Sequence, residues 1–138
     1  MLTGIPAEKI GEWWPKIGPV LERAAATSHG KERAVDYKGL AENRLAQIWV
    51  WLDNDCAVKM ALVTEIINYP GGAYLRGRAV AGEIIGDWID SVEIVEDWGR
   101  EHGCRGVEWA VRPGFEKFLK PHGYEKTHVF LEKSLETG

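Results

Sequence analysis

One acidic side chain interrupts an otherwise apolar run near the middle of the sequence. Glu65 stands inside "ALVTEIINY", which reads as part of a long strand. A carboxylate held among apolar neighbours has a raised pKa and can take a proton from an amine, so Glu65 is a candidate general base. Two other interpretations stay open, because strand alternation can turn Glu65 outward and because Arg76 or Arg78 can pair with it across a hairpin.

Histidines and cysteines offer other chemistry, but their spacing favours none of it. The sequence has four histidines and two cysteines without any tight His-x-x-x-His or Cys-x-x-Cys spacing, so we expect no metal site. His102 and Cys104 could act as base and nucleophile, yet a helix end and burial explain their position better. The glycine-rich run "GGAYLRGRAVAG" lacks the Gly-Lys-Ser/Thr ending of a phosphate loop.

The elements that would position these residues follow from the hydrophobic periodicity. The predicted order is helix, helix, three-strand meander, helix, strand, short helix and strand. The first helix is expected over residues 5–26, kinked or split by Pro15 and Pro19. A short second helix is expected before Arg44.

The later elements predict the sheet. Strands are expected over 45–52, 57–67, 74–81, 106–111 and 124–131, and helices over 87–102 and 115–119. Asp87 is a suitable N-cap for the longer of these helices. The strand–helix–strand crossover after the meander implies one parallel pairing. We therefore predict a single domain over 1–138 of the α+β class, with a mixed, mainly antiparallel sheet and helices on both faces.

The charge balance and the length bound the function classes. A formal net charge of -4 and a pI of about 5.6 argue against direct nucleic-acid recognition, which needs clustered basic residues. No long apolar span and no basic-then-apolar leader is present, so we expect a soluble protein without membrane insertion. Cys56 and Cys104 are typical of reduced thiols in an intracellular protein, although a bridge between them stays open.

Seven tryptophans are unusual in a chain of 138 residues. Trp49 and Trp51 lie two apart on one strand, so both should point to the same face. Trp13 and Trp14 are adjacent on a helix and cannot both face inward. Because tryptophan is enriched at interfaces as well as in cores, these four are our candidate interaction residues.

Two segments carry a resemblance to a known family. "FLKPHGY" at 118–124 resembles the segment with which the GNAT family of N-acetyltransferases ends its fourth helix and begins the next strand. "VEDWGREHGCRGVEWAVRPGFEKFL" at 95–119 resembles, more narrowly, small bacteriophage-encoded GNAT-like proteins, whose genes often lie among virion-morphogenesis genes. The order of elements along most of the chain is similar to the same fold.

The resemblance implies an acetyl-CoA pyrophosphate loop between the third meander strand and the main helix. The family uses Gln/Arg-x-x-Gly-x-Gly/Ala there, where backbone N–H groups hold the phosphates. The interval here has several arginines and glycines, but in no window with that spacing. The weak cofactor-binding candidates are Arg76, Arg78, Gly82 and Gly86. Two acidic residues, Asp87 and Asp90, stand at the expected helix start and would repel a pyrophosphate.

The resemblance also implies a general acid, usually a tyrosine four residues before the glycine that corresponds to Gly123. That position is Leu119, which cannot donate a proton. Tyr124 is a weak catalytic candidate, since an aromatic residue at a strand start is usually a packing group. Glu65 remains the weak candidate for the base.

We expect from these departures that the chain keeps the GNAT shape and has lost the transfer chemistry, with no cofactor. The narrower resemblance implies a virion-associated structural, assembly or genome-delivery component, at the head–tail neck or inside the particle, located in the virion or the host cytoplasm. Its partners would be other phage virion proteins and itself. The alternative is a divergent acyl-CoA-dependent N-acetyltransferase that binds acetyl-CoA. A weaker option is a small host-takeover protein that binds a bacterial partner.

Overall fold

The computed structural model describes residues 1–28, 30–82 and 91–136. Its elements in chain order are β1 (Leu2–Ile5), α1 (Ile10–Ala25), α2 (Ala34–Glu42), β2 (Gln47–Leu52), β3 (Val58–Tyr69), β4 (Gly72–Gly82), α3 (Val92–Glu101), β5 (Gly106–Trp109) and α4 (Glu116–Leu119). Short 3-10 turns precede α1 and flank α4. The predicted meander, the second helix, the main helix and the α+β class are confirmed. The part of the main helix expected over 87–90 lies outside the described residues.

The sheet runs in the order β1-β2-β3-β4-β5. The first four strands pair antiparallel with their neighbours, and β5 pairs parallel with β4. Helix α3 lies between β4 and β5 in the chain, as the crossover to a parallel neighbour requires. The single parallel pairing that the sequence predicts is therefore confirmed.

Each face of the sheet has its own core. One core packs α1 and α2 against inward residues of β2, β3 and β4, including Ile48, Val50 and Val63. The other packs α3 and α4 against the opposite face, where Trp49, Leu62 and Leu75 are buried. Strand alternation produces this division, because neighbours in a strand point to opposite faces. The predicted arrangement of helices on both faces is confirmed.

Two predictions about the first 26 residues are wrong. The chain begins with strand β1, and the helix starts at Ile10 rather than at residue 5. β1 was missed because four residues are too short to show a period. Helix α1 also continues through Pro15 and Pro19, so the expectation of a split at these prolines is wrong. Both prolines are exposed, so water can satisfy the carbonyl groups that lose their helical partners.

The prediction of a last strand over 124–131 is also wrong. These residues have no regular secondary structure, and most of their side chains are exposed. Their β-branched and aromatic composition favours a strand, but a strand exists only where another strand completes its hydrogen bonds.

No helix in the described parts of the chain is long and apolar enough to cross a membrane.

Candidate functional site

A bulge in β4 lies where β4 and β5 separate. Val63 of β3 pairs with Ala79 and Thr64 pairs with Gly77, so Arg78 is left over as an extra residue. Pairing between β4 and β5 stops at the same level, at Gly77 and Trp109. From 78 to 82, β4 therefore has no β5 residue opposite it. We call this opening the β4 gap. Bulges re-aim side chains and are frequent beside functional sites.

The extra residue projects to the α1–α2 side of the sheet and holds two carboxylates. Arg78 donates from Nε to Glu32 Oε1 at 2.7 Å and from Nη1 to Glu65 Oε2 at 2.5 Å. The Tyr37 hydroxyl donates to the other oxygen of Glu32 at 2.5 Å. We call these four residues the Arg78 cluster. Its members come from the α1–α2 connection, α2, β3 and β4, so the cluster joins the helical layer to the sheet.

Partial burial and charge shift two groups in the Arg78 cluster. Burial alone would lower the pKa of the Arg78 guanidinium, but the hydrogen bonds and charges of Glu32 and Glu65 raise it above its ordinary value. Burial raises the pKa of Tyr37, and its hydrogen bond to Glu32 raises it further. Glu65, the candidate base predicted from the sequence, is thus paired with the Arg78 guanidinium and lies on the α1–α2 side of the sheet. Of the open interpretations, the cross-hairpin pair with Arg78 is the one the structure shows.

A second polar network lies on the same face, nearer the β3–β4 turn. Arg76 donates from Nε to Glu108 Oε1 at 2.9 Å, and the Tyr69 hydroxyl donates to the same oxygen at 2.7 Å. Arg76 and Glu108 are opposite each other in the parallel pairing of β4 with β5. Their side chains are 39% and 34% exposed, so water screens this pair more than the Arg78 cluster.

The other face of the β4 gap is closed by an indole ring. A Cβ on Gly77 would lie 2.1 Å from Cε3 of Trp109, so only glycine lets the ring sit on the strand at this point. The indole Nε1 of Trp109 is buried and has no hydrogen-bond partner among the described residues. Trp109 also meets Tyr124 edge-to-face, with ring centroids 6.2 Å apart. The apex of the gap is therefore filled by aromatic side chains.

Tyr124, the weak catalytic candidate, forms a hydrogen bond within the fold. Its hydroxyl donates to Oε2 of Glu96 on α3 at 2.6 Å. Burial raises the pKa of Tyr124, and the Glu96 carboxylate raises it further, while the nearby Trp109 N–H lowers it without forming a well-aligned hydrogen bond. Leu119 is 4% exposed in the core on this face. The proton of the Tyr124 phenol is thus directed at a carboxylate within the fold.

The four cofactor-binding candidates have different surroundings in the structure. Gly82 has φ +150°, and a Cβ there would lie 2.5 Å from the Lys59 carbonyl oxygen, so close packing of β3 on β4 explains this glycine. Arg76 and Arg78 are each paired with carboxylates. Gly86 lies outside the described residues, as do Asp87 and Asp90. The charges of Arg76 and Arg78 are therefore already compensated by carboxylates.

The four candidate interaction tryptophans lie in different surroundings. Trp49 is 5% exposed, and its indole N–H donates to the Thr64 hydroxyl at 3.0 Å. Trp51 lies on the same face of β2 and is only partly buried. Trp13 and Trp14 pack at the edge of the α1–α2 core and are partly exposed. A role in binding a partner stays a prediction for all four.

The remaining chemistry-bearing residues form no site in the described ranges. Among these residues no group of three or more His, Cys, Asp or Glu side chains could hold a metal ion. Both cysteines are free thiols: Cys56 is exposed at a turn, and Cys104 is half-buried. Burial raises the pKa of the Cys104 thiol.

Sequence reasoning missed five residues that build these clusters. They are Glu32, Tyr37, Glu96, Glu108 and Trp109. Tyr37 and Glu32 are five residues apart and bond to each other, but the partners of the other contacts lie far apart in the chain, so neither spacing nor composition marks them. The parallel register could have indicated Glu108, because it places that residue opposite Arg76.

Comparison with known proteins shows the fold. No protein-family model matches the chain, and no curated protein matches its sequence. Among solved structures, a probable acetyltransferase superposes with a TM-score of 0.72 at 8% identity, covering 100% of this chain and 98% of its own. An aminoglycoside acetyltransferase from a soil metagenomic sample, in complex with sisomicin, gives 0.69 at 10% identity, with 99% and 96% covered.

A third solved structure is a predicted acetyltransferase with acetyl-CoA from Clostridium acetobutylicum. It gives a TM-score of 0.67 at 14% identity and covers 98% of this chain and 96% of its own. Identities this low show likeness of fold and carry no function across. Together with the mixed, mainly antiparallel five-strand sheet and its helices, these likenesses show that the chain has a GNAT-like fold.

Proposed function

We propose that this chain is a non-catalytic GNAT-fold protein that acts through protein contacts, as a structural, assembly or genome-delivery component of a bacteriophage particle. The observation that carries the non-catalytic part is that both candidates for proton transfer are already engaged. Glu65 is held by Arg78 at 2.5 Å, and the Tyr124 hydroxyl is held by Glu96 at 2.6 Å. The phage assignment rests on the resemblance of residues 95–119 to small phage-encoded GNAT-like proteins.

The chemistry of acyl transfer explains why the hydrogen bonds of Glu65 and Tyr124 oppose catalysis. A base must take a proton from the attacking amine, and an acid must supply one to the leaving thiolate. A carboxylate oxygen that already accepts a charge-assisted hydrogen bond from a guanidinium is less accessible to the proton of an amine. A phenol whose pKa is raised, and whose proton already points at Glu96, is a poor donor to a thiolate.

A second candidate function is a divergent acyl-CoA-dependent N-acyltransferase, located in the host cytoplasm. The specific observation in its favour is the β4 gap, where the strand backbone over 78–82 has no β5 partner. A solved relative in fold carries acetyl-CoA, and this ligand would supply the acyl group. In this chain, however, carboxylates compensate the charges of Arg76 and Arg78, so neither guanidinium is free to pair with a diphosphate.

The deciding experiment measures release of coenzyme A from acetyl-CoA in the presence of a panel of amines. We detect coenzyme A by chromatography, since a thiol reagent would also react with Cys56. We expect no release above the uncatalysed rate and no binding heat with acetyl-CoA in calorimetry. Turnover that Glu65→Gln or Tyr124→Phe abolishes, while an exposed control such as Arg44→Gln keeps it, would establish the enzyme instead.

The assembly role is tested separately from catalysis. Mass spectrometry of purified particles from a host that carries the gene should detect the polypeptide in constant ratio to a capsid protein. Absence from particles, with the protein abundant in the lysate, would refute the virion location. We then compare the proteins captured from the lysate by the unaltered chain with those captured by a Trp13→Ala, Trp14→Ala double variant. Loss of a partner in the double variant would show that these two residues serve the contact.

A further inference from the structure

A groove lies between the second half of α1 and the first turn of α2. Its volume is about 340 Å³, near the lower end of the range of about 300–1,000 Å³ that small-ligand sites occupy. It can therefore hold one long side chain together with its backbone. We call it the α1–α2 groove. The residues that line it and carry the argument are Trp14, Pro15, Gly18, Pro19 and Glu22 of α1 and Val35 of α2.

One wall of the α1–α2 groove contains an indole N–H without an acceptor. The ring of Trp14 lies over Gly18, where a Cβ would come within 3.0 Å of the indole Nε1 atom. This Nε1 bonds to no described residue and, unlike that of Trp109, it is not buried. A tryptophan N–H that packs within a protein usually finds an acceptor. A carbonyl group of a bound molecule can supply the acceptor here.

The same face of α1 presents two open acceptors. Pro19 has no N–H, so the Pro15 carbonyl lacks the donor that a helix normally provides four residues later. Glu22 accepts from the backbone N–H of Ala34 through Oε1 at 3.3 Å, while its Oε2 meets no donor in the described parts of the chain. Spacings of four and three residues place Pro15, Pro19 and Glu22 on one face of the helix. An occupant of the groove can therefore donate to both acceptors.

The charge of the α1–α2 groove favours a cationic occupant. Among the described residues that line it, Glu22 alone is charged, and no described lysine or arginine forms an ion pair with it. The rest of the lining is mostly apolar and includes Val35, whose side chain is 56% exposed. A surface of this kind fits a side chain that is apolar along its stem and cationic at its end.

We propose that the α1–α2 groove binds an arginine side chain presented by an extended segment of a partner protein. The guanidinium donates to Glu22 and to the Pro15 carbonyl, and its stem packs on Pro19 and Val35. The Trp14 N–H donates to a backbone carbonyl of the segment. Arginine fits better than lysine, because its planar fork holds several donors at fixed angles and stacks on aromatic rings. This inference rests on the proposed role in protein contacts and names the chemistry of the partner.

Titration of the full chain with short blocked peptides tests the proposal. The probe is acetyl-Ala-Pro-Arg-Pro-Ala-amide, in which the prolines keep the backbone extended, and the matched peptide has lysine in place of arginine. Proton–nitrogen correlation spectra follow the indole N–H signal of Trp14, which Trp14→Phe assigns. We expect a saturable shift of this signal with the arginine peptide. The lysine peptide should bind about 3-fold more weakly or worse.

Two pairs of variants separate the groove from its surroundings, with calorimetry as the measure of affinity. Glu22→Gln keeps an oxygen for the Ala34 N–H but removes the charge, so it should weaken binding about 5-fold or more. Its control is Glu12→Gln on the same helix, whose side chain is 71% exposed and lies outside the groove. Trp14→Phe removes the N–H donor and should weaken binding about 3-fold. Its control, Trp13→Phe, changes the neighbouring ring outside the groove and should leave binding unchanged.

Three outcomes would overturn the proposal. One is the absence of a saturable shift of the Trp14 N–H signal up to the solubility limit of the arginine peptide. Another is equal binding of the lysine peptide, which would refute the assignment to arginine. The third is a Glu22→Gln variant that binds as tightly as the unaltered chain, or a Glu12→Gln variant that loses as much.

Circular dichroism of each variant confirms that the domain remains folded. The peptide titration and the search for the polypeptide in particles give independent results. A failed titration refutes the groove proposal alone, whereas absence from particles refutes the virion location and leaves peptide binding intact.

Discussion

Replacing Arg78 with methionine isolates the energetic role of the bulge residue. Methionine keeps much of the apolar stem but removes the guanidinium, so Glu32 and Glu65 lose the cation that lies 2.5 Å from each. Breaking a fully buried ion pair by removing one partner costs about 3–5 kcal/mol. The side chains of Arg78, Glu32 and Glu65 are 29%, 21% and 15% exposed, so water compensates part of that loss. We therefore expect the free energy of unfolding to fall by about 2–3 kcal/mol.

The control is Arg76→Met, which replaces the arginine two residues before Arg78 on the same strand. Arg76 pairs with Glu108, but these side chains are 39% and 34% exposed, so we expect a loss of only about 0–1 kcal/mol. Urea unfolding at neutral pH, followed by tryptophan fluorescence, measures both variants. Equal losses for the two variants would refute the argument that burial at the bulge sets the strength of the Arg78 cluster. A loss for Arg78→Met below about 0.5 kcal/mol would refute it too.

Three further perturbations test other contacts. Gly77→Ala should destabilise the protein by about 1–3 kcal/mol by displacing the ring of Trp109, and Trp109→Leu in the same chain should recover part of that loss in urea unfolding. The folded-state pKa of Tyr124 is raised, so its contribution to stability is fully present below the unfolded-state pKa near 10 and is lost as pH rises above it. Tyr124→Phe should thus reduce the fall in stability above pH 10 by up to about 1.4 kcal/mol per pH unit, and an unchanged slope would contradict the assignment. Cys56 should react with a thiol reagent in the native state faster than Cys104, because Cys56 is exposed whereas Cys104 is half-buried and burial raises the pKa of its thiol; equal rates would contradict this difference in burial.

Much of the fold could be predicted because it depends on local pattern. The alternation around Trp49 and Trp51 places both on one face of β2, and the change of period after the meander indicates α3 and the parallel crossover. The wrong prediction over 124–131 has a different origin. Composition indicates what a segment can form, whereas a strand also needs an edge to pair with, and the sequence carries no information on which edge is free.

The candidate site could be predicted only in part. The sequence singled out Glu65 and Arg78 and left their pairing open. Pairing across the hairpin sets Arg76 opposite Glu65, yet Arg78, the extra residue of the bulge, is the arginine that bonds Glu65. A single extra residue in a strand leaves no mark in composition. Glu32 enters from a connection 46 residues away from Arg78, and no spacing rule relates the two.

The two prolines inside α1 have a consequence for the order of folding. Each removes one helical hydrogen bond, so the turns around Pro15 and Pro19 depend on docking against β3 and β4. An excised peptide of residues 10–25 should accordingly be almost unstructured in water, because isolated helices of this length are marginal even without proline. The antiparallel meander would then assemble first and act as the template on which α1 winds.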